Sequence, residues 1–180
     1  MVDEIVREIN ACLDNGCCIA GLSLALTLPD ICGKAYYPKL GNKCRYVKWF
    51  DEFIGQYEKD KESERIGLPY LSGEVVYSLR CSILHQGNPS VENNKLDIVY
   101  FELIYRRPED TQDCCGSAQA EMVKDEKGKY MAINKKLRIN VRDLCWKICR
   151  LAEVCYDRER EKFNFFEYNL VDTVHHAIYT

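Results

Sequence analysis

The chain has 180 residues, of which 47% are apolar and 29% are charged. This length suits one domain with a substantial core, and the composition excludes a wholly disordered chain. The formal net charge of −3 gives no global attraction to nucleic acid. Binding to RNA would therefore need a local basic patch.

The N-terminus and the cysteines predict a cytoplasmic protein. The start, MVDEIVREIN, is acidic from its third residue and lacks the basic and then apolar order of a signal peptide. No apolar run approaches the ~20 residues of a membrane span, so no membrane partner is expected. The eleven cysteines are odd in number and accompany no export signal, which favours reduced thiols over a disulfide scaffold.

Apolar periodicity predicts two helical stretches in the first third of the chain. Residues 4–28 follow a helical pattern that Gly16 interrupts, so a kinked helix or two shorter helices are expected. The following LPDICGKAYYP predicts a loop, because it contains two prolines and a glycine. RYVKWFDEFIGQY predicts a second amphipathic helix, with Tyr46, Trp49, Phe50, Phe53, Ile54 and Tyr57 on one face. The charged run at 58–65 predicts a solvated linker.

A third helix and a change of period follow. Ser72 is an N-cap residue type, and the helix is expected to run from there to about Gln86. Gly87 and Pro89 would end it. The β-branched and aromatic run KLDIVYFELIY then predicts a strand. Residues 118–139 contain the turn KDEKGKY and predict a hairpin.

The last long helix is predicted to begin at Asn140, with Asp143 in a capping-box-like position. Its apolar stripe comprises Val141, Leu144, Cys145, Ile148, Cys149, Ala152, Cys155 and Tyr156. No internal repeat separates the chain into units. The sequence therefore predicts one mainly α domain over 1–180, a helical bundle with a small β insertion at about 97–139.

The stretch LRCSILHQGN, within the third helix, contains the candidate catalytic residues Arg80 and His85. His85 falls in the final turn, where the helix dipole favours the imidazolium form and raises the pKa of the imidazole. Imidazole near neutrality moves protons in either direction, and a guanidinium binds phosphate. Together they suit metal-independent cleavage of a phosphodiester by its own 2′-hydroxyl. The two residues lie about 140° apart around an α-helix, so an alternative is an arginine and a histidine that merely cap a helix.

Arg-x4-His on a helix, followed by glycine, resembles the R-x(4–6)-H motif of HEPN domains (higher eukaryotes and prokaryotes nucleotide-binding). LPYLSGEVVYSLRCSILHQGNP, ALTLPDICG and RYVKWFDEFI also resemble a bacterial HEPN subfamily encoded on plasmids and chromosomes. The similarity covers about two thirds of the chain. It implies a HEPN-like helical bundle that forms a homodimer, with the motif helices of two subunits meeting at a shared cleft.

The resemblance also implies a function and its residues. Many HEPN proteins are metal-independent endoribonucleases of toxin–antitoxin, phage-defence and CRISPR systems, and their motif arginine and histidine correspond here to Arg80 and His85. RNA or a nucleotide, a second copy of the chain and an antitoxin protein are therefore the expected partners, and no cofactor is expected. Cys81 stands where the family usually has a polar residue. The alternative is an inactive HEPN-like dimer that binds a nucleotide or a partner protein.

Further residues are candidates for supporting or binding roles. Cys81, Glu74 and Asn88 are expected to support the catalytic pair. Glu74 lies about 16 Å from His85 along one helix, so it would act only across a dimer interface, or else stabilise its own helix N-terminus. A basic segment predicts contact with an RNA backbone, or else a solvated edge: Lys135, Lys136, Arg138 and Arg142.

The cysteines allow a third hypothesis, a metal-binding regulator. Cys145 and Cys149 share one helical face with Cys155, and the tail contains His175 and His176. These thiols fall on the apolar stripe, however, where free cysteine acts as a small hydrophobic residue. The tandem cysteine pairs elsewhere lack the two-residue gap of a zinc knuckle. No metal site is therefore expected.

Overall fold

The computed structural model describes residues 1–59, 67–86, 90–93, 96–105, 115–126, 128, 130–165, 170–172 and 177–179; the side chains of 85, 86, 90–100, 170–172 and 177–179 lie outside the described part. Helix α1 (Val2–Asp14) buries the apolar face that its sequence pattern predicts. Gly16 follows with φ +75°, a left-handed conformation that favours glycine. The chain then enters α2 (Cys18–Ala25). Gly16 therefore separates two helices, one of the two predicted possibilities.

The predicted loop LPDICGKAYYP is wrong, because most of it forms helix α3 (Leu28–Tyr36). Pro29 lies in the first turn, where its missing N–H costs no hydrogen bond. Gly33 lies against α4, and a Cβ added there would come within 2.7 Å of the Arg45 carbonyl oxygen. The glycine therefore permits close packing of two helices rather than a turn.

Helix α4 (Asn42–Phe50) continues through the π-helical turn Asp51–Gly55 into a last turn, Gln56–Glu58. Trp49 is fully buried, as predicted, but Tyr57 is 78% exposed. A π-helical turn contains more residues than an α-helical turn, so it rotates the residues after it off the apolar face. The predicted solvated linker is also wrong at its first residue, because the Glu58 side chain is 3% exposed.

Helix α5 (Gly73–Cys81) contains the first part of the motif and continues as a π-helical segment, Ser82–Gln86. Ser72 is its N-cap, and its hydroxyl accepts a hydrogen bond from the Val75 amide at 3.3 Å. The predicted cap is confirmed, and the helical stretch runs to Gln86 as predicted, although its last five residues are π-helical. Gly87 and Pro89 lie outside the described residues.

The β region forms a four-stranded sheet in the order β1-β2-β4-β3. Its strands are β1 (Ser90–Asn93), β2 (Leu96–Ile104), β3 (Gly116–Lys124) and β4 (Tyr130–Asn140). β3 and β4 form the predicted antiparallel hairpin, and β2 pairs with β4 in parallel. Asn134, with φ 50°, lies where the register of the hairpin shifts, which marks a β-bulge.

Helix α6 (Val141–Arg158) closes the core. Asn140 caps it as predicted, since its side-chain oxygen accepts from the Arg142 and Asp143 amides. The predicted stripe is buried, apart from the half-buried Tyr156, and α6 packs against α1, α2 and α3. A short 3-10 turn, Arg160–Phe163, and the strand pair β5 (Leu170–Asp172) and β6 (Ala177–Tyr179) follow. The fold is therefore mainly helical with a small sheet.

One stretch bears on the membrane prediction. Among the described residues, Cys18–Tyr36 is long and apolar enough to cross a membrane by length and composition. Half of it is buried inside the fold, and core helices of soluble proteins meet the same test. The stretch also contains the break between α2 and α3. A soluble protein is compatible with this arrangement.

Candidate functional site

Two close contacts fix the start of α5 against α4. A Cβ added at Gly73 would lie 2.5 Å from the Val47 carbonyl oxygen, so only glycine allows this approach. The Gly73 amide donates to the Asp51 carboxylate at 2.6 Å. Burial raises the pKa of Asp51 above its ordinary value, and the hydrogen bond from Gly73 opposes that rise. The first turn of the motif helix is therefore held by backbone contact and by a carboxylate of the neighbouring helix.

Arg80 lies near the end of α5, between two tyrosine rings. Its Cζ is 6.0 Å from the ring centroid of Tyr46 and 5.9 Å from that of Tyr77. Tyr46 is fully buried, and burial raises the pKa of its phenol while the charge of Arg80 opposes that rise. Because α4 supplies Tyr46 and α5 supplies Tyr77, the packing of these helices sets the position of the guanidinium.

No described residue accepts a hydrogen bond from Arg80 or forms an ion pair with it, and its Nε is buried. Other partly buried arginines of the described chain differ. Arg45 binds Asp30 at 2.9 Å, and Arg142 binds Asp14 at 3.3 Å. A half-buried guanidinium without a carboxylate partner in the described part of the chain is suited to bind an anion, and its planar donors match phosphate oxygens.

The backbone of His85 lies in the π-helical segment that follows α5, and its side chain lies outside the described part of the chain. π-Helical hydrogen bonds join residues five apart, so each residue rotates the chain less than in an α-helix. The angle between Arg80 and His85 around the helix is therefore smaller than the 140° expected of an α-helix. π-Helical turns inside helices occur often at functional sites.

The supporting candidates lie at different distances from Arg80 along the helix. Cys81 is half-buried beside Tyr77, and its proximity contributes to a raised pKa of the Tyr77 phenol, whose main cause is burial. Glu74, in the first turn, forms an ion pair with Lys43 at 2.6 Å. Its position in the first turn is also favourable for a carboxylate, because the helix dipole is positive there. Asn88 lies outside the described residues.

The residues of the predicted basic segment are paired with other groups of the chain. Lys136 and Arg138 both bind the carboxylate of Glu102, and these two cations lower its pKa. Arg142 donates to the Leu13 carbonyl at 3.1 Å and to the Tyr105 hydroxyl at 2.8 Å, in addition to its contact with Asp14. Lys135 also has an interaction partner. This segment therefore stabilises the sheet and its junction with α6.

The cysteine stripe shows no metal-ligating geometry. Among the described residues, no group of three or more His, Cys, Asp or Glu side chains is placed to hold a metal ion. Burial raises the pKa of the Cys149 thiol to about 12 and also raises that of Cys145. Buried thiols that resist ionisation are poor ligands and poor nucleophiles. His175 and His176 lie outside the described residues.

Sequence reasoning missed the two tyrosines around Arg80. The sequence pattern places Tyr46 on an apolar face and predicts no role for Tyr77. The available signal was the spacing of Tyr77 and Arg80, because residues three apart are neighbours on a helix surface. Tyr46 comes from another helix, and no local pattern reveals that contact.

Comparisons with known proteins assign no relationship. No family model matches the chain, and no curated protein or solved structure is significantly similar to it.

Proposed function

We propose that the chain is a HEPN-like, metal-independent endoribonuclease that acts as a homodimer. The observation that supports this most directly is Arg80, a half-buried guanidinium with no acidic partner among the described residues. The resemblance of the Arg80–His85 spacing to the HEPN motif, and the mainly helical fold, agree with the proposal. Toxin–antitoxin or phage-defence systems are the proposed setting, with an antitoxin protein as a further partner.

In the proposed reaction, the 2′-hydroxyl of one nucleotide attacks the adjacent phosphorus, and the 5′-oxygen of the next nucleotide leaves. His85 acts as the general base on the 2′-hydroxyl or as the general acid to the leaving 5′-oxygen, and water carries out the other proton transfer. Arg80 binds the non-bridging oxygens and stabilises the charge that develops on them in the transition state. The products are a 2′,3′-cyclic phosphate and a free 5′-hydroxyl.

The test is incubation of purified protein with total RNA in EDTA. The wild-type protein and an Arg150→Ala control should cleave RNA, because Arg150 is an exposed arginine of α6. Arg80→Ala and His85→Ala variants should not. Cleavage that persists in both variants, or none by the wild-type protein, contradicts the proposal.

Mixing the two inactive variants tests the dimer. If each site takes Arg80 from one subunit and His85 from the other, a mixed dimer contains one intact site. Co-refolded Arg80→Ala and His85→Ala chains should then regain part of the wild-type activity. No recovery, with mixed dimers demonstrated by mass spectrometry, indicates that each site lies within one subunit.

A second candidate is an inactive HEPN-like dimer that binds a nucleotide or a partner protein. Cys81 favours it, because a thiol is a weak hydrogen-bonding group at the position after the motif arginine. In this case Arg80 holds a phosphate without cleaving it. A Cys81→Asn variant that gains RNA cleavage absent from the wild-type protein would support this candidate against the enzyme.

A further inference from the structure

Tyr77 presents a partly exposed ring whose position the core determines. Its ring packs edge-on against that of Tyr46, with centroids 5.2 Å apart and planes at 74°. Tyr46 is fully buried and comes from α4. The ring of Tyr77 is thus oriented before any ligand arrives, and pre-organisation of this kind lowers the entropy lost on binding.

Two cations lie close to this ring. The Arg80 guanidinium is 5.9 Å from the centroid, and the Lys43 ammonium is 5.8 Å from it. Lys43 is paired with Glu74, whereas Arg80 has no acidic partner in the described chain. Of these two cations, Arg80, three residues further along the helix, is therefore the one available to bind an anion.

An aromatic ring beside a cation is the arrangement with which proteins bind single-stranded nucleic acid, since the base stacks on the ring and the cation binds the backbone. Bases of a duplex are stacked on each other and are not presented to a side chain. We infer that Tyr77 stacks on an unpaired base whose adjacent phosphate is bound by Arg80. This stacking role rests on the proposed function.

The experiment measures binding of a fluorescent, 2′-O-methylated single strand, which lacks the attacking hydroxyl and stays intact. Tyr77→Leu should raise its Kd roughly 5- to 150-fold, as expected for the loss of one stacked base. Tyr77→Phe should bind nearly as the wild type does, because phenyl also stacks. Tyr57→Leu is the control, since Tyr57 is exposed at the far end of α4. Circular dichroism and thermal melting confirm that each variant folds.

The salt dependence of Kd separates stacking from a general loss of structure. Tyr77→Leu should keep the wild-type slope of log Kd against log salt, because it removes no charge. Arg80→Ala should reduce that slope by about one phosphate contact. A Tyr77→Leu variant that binds as the wild type does, a Tyr77→Phe variant as weak as Tyr77→Leu, or equal wild-type affinity for the duplex overturns the inference.

The two proposals fail in different ways. If RNA cleavage requires Arg80 and His85 but Tyr77→Leu leaves binding unchanged, only the stacking role is wrong. If the wild-type protein neither binds nor cleaves RNA, the proposed function is wrong and the stacking role with it.

Discussion

Replacing Arg80 with methionine distinguishes an arginine that serves a ligand from one that stabilises the fold. Methionine keeps a long apolar stem but removes the charge and the buried Nε. A buried donor without a partner costs about 1–3 kcal/mol. The two ring contacts of Arg80 lie near 6 Å, the outer limit for cation–π attraction, and contribute about 0.5 kcal/mol each. Arg80→Met should therefore raise the free energy of unfolding by about 0–2 kcal/mol.

Arg142→Met is the matched control. The Nε of Arg142 is also unpaired, but its terminal nitrogens bind Leu13, Tyr105 and Asp14. Losing these three charged hydrogen bonds outweighs the relief of removing the unpaired Nε, so Arg142→Met should lower the free energy of unfolding by about 1.5–3 kcal/mol. Urea unfolding, followed by tryptophan fluorescence, measures the free energy of unfolding of both variants. In a separate thermal melt, each kcal/mol should move Tm by about 2–4 °C. If Arg80→Met destabilises the protein as much as Arg142→Met does, Arg80 is structural and the argument for a ligand fails.

Three further predictions concern the elements that position α5. Gly73→Ala should lower the free energy of unfolding by about 1–3 kcal/mol in urea melts, because its Cβ would press on the Val47 carbonyl; an unchanged midpoint contradicts this packing. Burial raises the pKa of Asp51, so the folded protein holds this proton more tightly than the unfolded chain and loses stability as pH rises above the ordinary pKa of aspartate. Asp51→Asn should become progressively more stable relative to wild type from about pH 4 to pH 7, and a constant difference would refute the raised pKa. Glu58→Ala should cost about 3 kcal/mol, since the carboxylate accepts from both the Lys147 ammonium and the backbone amide of Cys115, just before β3; a loss below about 1 kcal/mol would show that the pair contributes little.

Local patterns in the sequence predicted the elements that depend on neighbouring residues. The caps at Ser72 and Asn140 were found because a capping side chain bonds to amides two or three residues away. The apolar stripe of α6 and the β3–β4 hairpin were found because period and turn chemistry are local. The same kind of reasoning was wrong for α3, where Pro29 and Gly33 resembled a loop. Proline and glycine are also the residues typical of turns, so composition alone does not distinguish a turn from a helix that begins with proline and packs closely at glycine.

The candidate site divides in the same way. The spacing of Arg80 and His85 on one helical segment, and its resemblance to the HEPN motif, follow from the sequence alone. The packing of helices and strands places Arg80 between Tyr46 and Tyr77 without an acidic partner among the described residues, and it pairs both Lys136 and Arg138 with Glu102. The reason is physical: a helix fixes the relative position of residues three to five apart, whereas the partner of a charge is set by whichever helix or strand packs beside it.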